Sequence, residues 1–113
     1  MNMSKLIDKQ IVSAIREKIN FGGGNTTVTT DSKGIKTRVY LHGNLVAEIN
    51  HITKTAKLMS CGWKTYTTKS RLNRVLEALN LNCGICQRNR KWYVISNNKD
   101  LHDFYEGMTF SLK

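Results

Sequence analysis

The sequence has no proline, few acidic residues and no long run of apolar residues. Only 8 aspartates and glutamates stand against 18 lysines and arginines, which leaves a formal net charge of +10 over 113 residues. A surplus of this size favours an anionic partner and disfavours a cationic one, although it says nothing about the fold. No stretch reaches the ~18 consecutive apolar residues of a membrane-spanning helix, so the sequence predicts no membrane partner.

Export is also disfavoured. The first residues offer only Leu6 and Ile7 before Asp8 interrupts them, whereas a secretory signal needs ~7–15 apolar residues in a row. The cysteines number three, and an odd count in a chain long enough to fold without disulfides fits a reducing compartment. We therefore expect the protein to lie in the cytoplasm.

Length and periodicity predict one domain that begins with an amphipathic helix. Domains typically contain ~100–150 residues, so this chain supplies one core. The helix is predicted over residues 4–19 with Ser4 as its N-cap, and the glycines at 22–24 are expected to end it by adopting positive φ. We treat 1–23 as this helix with its exit and 24–113 as the α+β core of one domain. The apolar face comprises Ile7, Ile11, Val12, Ile15 and Ile19.

The middle of the chain has the two-residue period of β-strands. Apolar and polar residues alternate from Ile35 to Leu41, and residues 31–34 and 42–44 on either side have turn composition. These signals predict antiparallel strands near 26–30, 35–41 and 45–49, and a fourth at 56–60.

A second helix and a hairpin follow. Apolar residues between 72 and 79 recur with helical spacing, and Thr67 or Thr68 is a suitable N-cap. A hairpin is predicted from 85–88 and 92–95 across Asn89 and Arg90, then a turn and a terminal strand within 100–110. The fold class is therefore α+β, a single domain with an antiparallel sheet of four to six strands and two helices packed on one face.

The positive charge is concentrated in residues 53–91. This segment holds nine basic side chains and one acidic side chain, a net charge of 9 − 1 = +8. Mutual repulsion among the nine would be relieved by an anionic ligand, while ordinary solvated faces of a basic protein are the alternative.

Cations, hydroxyls and aromatic rings meet at the predicted start of the second helix. Lysine and arginine neutralise phosphates, hydroxyls and helix N-terminal amides donate to phosphate oxygens, and flat rings stack on bases. We expect the neighbouring Trp63 to pack in the core, as most tryptophans do. The candidate residues for binding nucleic acid or a protein partner are Lys64, Tyr66, Thr67, Thr68, Lys69, Arg71, Arg74, Arg88, Arg90 and Lys91.

A second basic patch is predicted on the polar face of the sheet. Its residues share one side of the strand at 35–41 and its expected neighbour. Basic and aromatic sheet faces bind single strands in some proteins, and half-exposed strands with long polar side chains are equally common. The patch comprises Lys36, Arg38, Tyr40 and Lys57.

The cysteines offer a weak metal-binding pattern. Cys83 and Cys86 are separated by two residues, and with Cys61 and one of His42, His51 or His102 they could complete a tetrahedral zinc site. No second pair with metal-ligand spacing is present, so we expect no metal and no other cofactor. No motif names catalytic residues, and the sequence favours a binding protein over an enzyme.

Five stretches resemble a family of small proteins encoded by tailed bacteriophages. They are GNTTV at 24–28, VYLHGNLVA at 39–47, GWKTYTTKSRLN at 62–73, WY at 92–93 and FYEGM at 104–108. The resemblance implies a phage origin and expression in a bacterial host cytoplasm, and it carries no catalytic residues over. It leaves the N-terminal helix outside, so that helix is expected to be specific to this protein or to serve assembly.

Two functions remain open. The first is non-catalytic binding of nucleic acid through the cationic helix start and hairpin. The second is inhibition of an acidic host protein or ribonucleoprotein, such as a host-defence complex in the manner of an anti-CRISPR protein. A homodimer through the N-terminal helix is also open.

Overall fold

The computed structural model of the protein describes residues 3–112. Two helices and nine strands make up this part of the chain. In chain order they are α1 (Met3–Glu17), β1 (Phe21–Gly23), β2 (Thr26–Thr30), β3 (Lys36–Leu41), β4 (Asn44–Asn50), β5 (Thr55–Leu58), α2 (Tyr66–Ala78), β6 (Cys83–Arg88), β7 (Lys91–Ser96), β8 (Leu101–Asp103) and β9 (Met108–Ser111).

The strands form two antiparallel sheets. The larger has six strands in the order β1-β2-β3-β4-β5-β9, and the smaller has three in the order β6-β7-β8. The predicted α+β class is confirmed, as are the meander, the hairpin and the terminal strand. The hairpin does not join the main sheet. It pairs with β8, and the chain then returns to add β9 beside β5.

Both helices pack on one face of the six-stranded sheet, as predicted. Strand alternation directs Val28, Val39 and Ile49 toward the helices, and each is fully buried. Ile11 of α1 and Leu72 of α2 meet them from the other side. The opposite sheet face carries the polar residues of each strand, so the core lies between the sheet and the helix pair.

Two elements differ from the sequence prediction at the end of α1. The helix ends at Glu17 because Lys18 adopts positive φ (56°) and Ile19 N donates to Ala14 O, the hydrogen bond of a Schellman helix end. Ile19 thus falls outside the apolar face and is half exposed. The predicted glycine-rich exit is wrong, since Phe21–Gly23 pairs with β2 as strand β1.

A buried arginine joins α2 to α1 and to the sheet. Arg71 is only 8% exposed. Its Nε donates to Thr26 Oγ1 of β2 at 2.8 Å, and its Nη1 lies 3.3 Å from the carboxylate of Asp8 on α1. Arg74, one turn further along α2, contacts the other oxygen of the same carboxylate at 3.6 Å. Asp8 is therefore the counter-ion for two helix arginines.

A second arginine joins the two helices at the far end of α2. Arg16 of α1 donates to the carbonyl oxygens of Glu77 and Ala78 and to the side chain of Asn80, each at 3.0 Å. The last carbonyls of a helix lack intrahelical partners and carry partial negative charge, so a cation stabilises them. No helix in the described part of the chain is long and apolar enough to span a membrane.

Replacing Asp8 by alanine is expected to lower the free energy of unfolding by ~2–3 kcal/mol, because it leaves the buried Arg71 charge without its partner. Asp103→Ala is the matched control, since the Asp103 to Lys91 ion pair has both side chains more than half exposed; it should cost less than ~1 kcal/mol. Urea denaturation measures both. Equal losses in the two variants would contradict the structural role of Asp8.

The buried side of His51 predicts a pH dependence of stability. Its Nε2 shares a 2.7 Å hydrogen bond with Thr37 Oγ1. Burial lowers the pKa of His51, and the positive charges of Lys18 and Lys54 lower it further, whereas the negative charge of Asp31 raises it. The unfolded chain then binds a proton more readily than the folded one. The free energy of unfolding should therefore fall as the pH drops below the unfolded value of ~6.5.

Denaturation midpoints of the native chain and the His51→Gln variant, measured between neutral and mildly acidic pH, check this expectation. On acidification, the free energy of unfolding of the variant should fall less than that of the native chain. If the free energy of unfolding falls equally in both proteins, the pH dependence arises from groups other than His51.

Candidate functional site

A tight turn between β5 and α2 exposes Trp63. Cys61 and Gly62 both have positive φ (56° and 79°), and Trp63 N donates to Ser60 O at 2.9 Å, the pattern of a type I′ turn. Trp63 is left 63% exposed. The expectation that this ring packs in the core is wrong, because the turn reverses the chain before the ring can reach the sheet.

Glu106 holds this turn in place from the connection between β8 and β9. Its carboxylate accepts the backbone N–H groups of Ser60 and Cys61, each at 2.9 Å, and the hydroxyl of Ser60 at 2.6 Å. Ser60 is only 1% exposed, so its N–H and hydroxyl have little access to water, whereas Cys61 is exposed. The turn that carries Trp63 therefore depends on a side chain far away in the sequence.

Thr65 caps α2, two or three residues earlier than the predicted Thr67 or Thr68. Its Oγ1 accepts the N–H of Thr68 at 3.2 Å, while Lys69 N donates to Thr65 O. A helix leaves its first N–H groups without intrahelical acceptors, and this cap uses one of them. Within the part of the chain that the structure describes, the N–H groups of Tyr66 and Thr67 have no acceptor.

An open cleft of about 520 Å³ lies beside the start of α2. One wall is the turn between β3 and β4, the floor is the end of the sheet, and the other wall is the Trp63 segment. None of its lining residues is acidic. They are Leu41, His42, Asn44, Val46, Ser60, Trp63, Thr65, Thr67 and Thr68.

Aromatic and cationic side chains surround the mouth of this cleft. Tyr66, in the first turn of α2, is 79% exposed, and Lys69 Nζ lies 5.7 Å from the centre of its ring. Lys64 is exposed between the turn and the helix. Among the described residues, neither lysine has an acidic partner within ion-pair distance.

The β6–β7 hairpin presents further cations. Asn89 and Arg90 form its turn with φ of 52° and 65°, and Arg88 and Lys91 are the facing pair. Lys91 is engaged with Asp103 at 3.2 Å. Arg88 and Arg90 are exposed and have no ion pair within residues 3–112.

The chain after β8 links the hairpin to the cleft. Phe104 N donates to Trp92 O at 3.3 Å near the base of the hairpin turn. Two residues later Glu106 binds Ser60. The small sheet is thus attached to the turn that carries the cleft wall.

Packing against α2 fixes the position of β6. The Asn73 side chain accepts the N–H of Ile85 at 2.7 Å and donates to its carbonyl at 3.1 Å. Ile85 therefore lies opposite the middle of α2, and Arg88 lies ~10 Å further along the strand from this contact.

Three of the predicted site residues have their polar groups engaged within the protein. Arg71 is buried against Asp8 and Thr26, and Thr68 is 1% exposed beneath the helix cap. Arg74 contacts Asp8 and Glu77. The prediction that Arg71 and Thr68 are surface contacts is corrected, because both side chains are buried. Of the predicted set, exposed or partly exposed positions are held by Lys64, Tyr66, Thr67, Lys69, Arg74, Arg88, Arg90 and Lys91.

The second predicted patch lies on the helix-free face of the large sheet. Arg38 is directly opposite Glu48, and Glu48 is opposite Lys57 on the next strand. The hydrogen bond that Arg38 Nε donates to Glu48, 2.9 Å long, raises the pKa of Arg38. Lys36 and Tyr40 flank this row on the same strand face. A carboxylate at the centre of the patch offsets much of its positive charge.

The cysteines do not converge. Cys83 and Cys86 are three residues apart on β6, which puts them on opposite faces of the strand. Burial raises the pKa of the Cys83 thiol, which disfavours the thiolate that binds zinc. Cys61 is exposed in the turn before Trp63. Within the described residues, no three metal-ligating side chains come together.

These features define a small basic α+β protein with an aromatic cleft at one end of its main sheet. Over residues 3–111 the chain matches the family model described as Kyanoviridae Gp96 protein, and it belongs to that family. The match confirms the predicted resemblance to a phage-encoded family. Since the match includes α1, the expectation that the N-terminal helix lies outside the family is wrong. No curated protein and no solved structure matches the chain.

Glu106→Ala is expected to loosen the turn before Trp63 and to cost ~1–3 kcal/mol, because the N–H groups of Ser60 and Cys61 lose their acceptor. Glu106→Gln keeps one acceptor oxygen and should cost less. Hydrogen exchange at residues 60–63 measures the loosening, and urea denaturation measures the cost. Unchanged exchange in the alanine variant would show that the turn holds without Glu106.

Proposed function

We propose that this protein binds nucleic acid without catalysis, through the cationic surface made by the start of α2 and the tip of the β6–β7 hairpin. We call this surface the entry surface, and it comprises Lys64, Tyr66, Thr67, Lys69, Arg88 and Arg90. The family is phage-encoded, so the proposed place of action is the cytoplasm of the bacterial host. No cofactor is required by this proposal.

The proposal rests on which basic side chains have a carboxylate within ion-pair distance and which do not. In residues 53–91, Arg71, Arg74 and Lys91 are neutralised by carboxylates. Six cations have no such partner among the described residues. Lys64, Lys69, Arg88 and Arg90 belong to the start of α2 and the hairpin tip, whereas Lys54 lies between β4 and β5 and Lys57 lies on β5. Exposed like charges gathered at one end of a small domain repel each other, and an anionic ligand removes that cost.

The shape of the entry surface favours a polyanion over a small anion. Its cations come from two separate elements, the start of α2 and the hairpin turn, and they do not converge on one point. A backbone of regularly spaced phosphates can contact both elements at once, whereas a single phosphate contacts one. The free N–H groups of Tyr66 and Thr67 add donors of the kind that bind phosphate oxygens.

The helix-free sheet face supports a binding role less well. Glu48 sits between Arg38 and Lys57, and Arg38 is already hydrogen-bonded to it. An approaching phosphate would meet this carboxylate. The patch of Lys36, Arg38, Tyr40 and Lys57 is therefore a secondary contact surface in the proposal.

Binding to nucleic acid is expected to weaken steeply with salt. If four cations each neutralise one phosphate, the slope of log K against log[salt] is about −3 for single strands. Affinity then falls about 50-fold between 50 and 200 mM salt, by the same relation. Fluorescence anisotropy of a labelled oligonucleotide measures it. Lys64→Ala and Arg88→Ala should each reduce the magnitude of the slope of log K against log[salt] by ~0.7.

Lys33→Ala is the matched control. Lys33 is exposed in the turn before β3, and the turn after β3 forms a wall of the cleft. The six residues of β3 put ~20 Å between the two turns, so this variant should keep the native slope. A flat salt response, or no binding at low salt, overturns the proposal.

The rival function is binding to an acidic host protein or ribonucleoprotein. Capture from host lysate with and without nuclease separates the two. A partner lost on nuclease treatment agrees with the proposal. A nuclease-resistant partner that Lys64→Ala and Arg88→Ala release, together with no binding to oligonucleotides, replaces it with the rival.

A further inference from the structure

We infer that the cleft beside Trp63 receives one unpaired base, so that the nucleic acid bound is single-stranded. This inference rests on the proposed function and narrows its ligand. It follows from the aromatic wall, the size of the cleft and the polar groups on its rim, none of which a purely phosphate-binding surface needs.

The aromatic wall is an exposed indole held in a defined place. Trp63 is 63% exposed, whereas the other tryptophan, Trp92, is 1% exposed and packs edge-on against Phe104. The turn before Trp63 is clamped by Glu106, so a ring that is open to water is attached to an ordered backbone. Exposed rings of this kind are platforms on which bases stack.

The cleft has room for a flat group against that ring. Its volume of about 520 Å³ falls in the ~300–1,000 Å³ range of small-molecule sites. The floor is apolar, from Leu41 and Val46, and suits the face or edge of a base. The cleft is concave, and a base in a duplex is stacked between its neighbours, so only a base outside a stack enters it.

The rim supplies groups for the edge of a base. His42 and Asn44 stand on the β3–β4 turn across the cleft from Trp63. Among the described residues, neither side chain is engaged in a hydrogen bond within the protein. Amide and imidazole groups pair with the polar edges that unpaired bases expose.

The phosphates on either side of such a base find donors at the cleft mouth. Lys64 follows Trp63 directly, and the free N–H of Thr67 belongs to a residue that lines the cleft. A base inserted against Trp63 thus leaves its backbone beside the start of α2. Stacking and charge neutralisation then act on the same nucleotide.

The test follows Trp63 fluorescence during titration with single-stranded and duplex oligonucleotides of about 12 residues, and with an abasic strand carrying the same number of phosphates. We expect single strands to quench the exposed tryptophan and to bind at least tenfold more tightly than duplex. The abasic strand should bind without quenching. In Trp63→Phe the remaining signal from buried Trp92 should be insensitive to ligand.

Affinity measurements complete the test. Trp63→Ala is expected to weaken single-strand binding by about 5- to 150-fold, the range for loss of one stacked base, and to leave the salt slope unchanged. Tyr105→Ala is the control, since that ring is 60% exposed and does not line the cleft; it should bind as the native chain does.

Two failures are distinguishable. Salt-dependent binding that treats single strands, duplex and abasic strands alike, with no effect of Trp63→Ala, overturns the single-strand inference and leaves the proposed function standing. Absence of binding to every oligonucleotide at low salt overturns both.

Discussion

The guanidinium group of Arg71 is held by Asp8 of α1 and Thr26 of β2, and the position of α2 depends on it. A buried cation is stable only where its donors find acceptors, which restricts the two helices and the sheet to the arrangement that supplies them. Leu72 and Val75 on the same helix then face the core. The start of α2, with its cap and its exposed side chains, is thereby placed against the end of the sheet where the cleft lies.

The arginines and lysines of this chain serve two purposes. Arg16, Arg71 and Arg74 satisfy carbonyl and carboxylate groups of the two helices, so their donors are already engaged within the protein. Of the six other cations in the 53–91 segment that have no carboxylate partner among the described residues, Lys64, Lys69, Arg88 and Arg90 belong to the start of α2 and the hairpin tip. A modest number of unpaired charges at one end gives a directional field, which a total of +10 spread evenly would not.

Local patterns predicted most of the secondary structure, because alternation in β3 and the apolar stripe of α2 are properties of neighbouring residues. The functional residues were less accessible to that reasoning. The charge of Arg71 and its neighbours in the sequence predict a binding residue, and no local pattern reveals its partner Asp8, 63 residues away. Trp63 looked buried by its residue type, and only the consecutive positive-φ residues Cys61 and Gly62 place it outside. The Gly-rich segment at 21–23 became a strand because β2 was available to pair with it.

The clamp of Glu106 on Ser60 joins residues 46 positions apart in the chain. A contact of that separation closes a long loop and forms only after nearer contacts have been made. During synthesis the turn that bears Trp63 cannot be clamped until the segment containing Glu106 has left the ribosome. A growing chain therefore carries the basic helix α2 before this wall of the cleft is held in place.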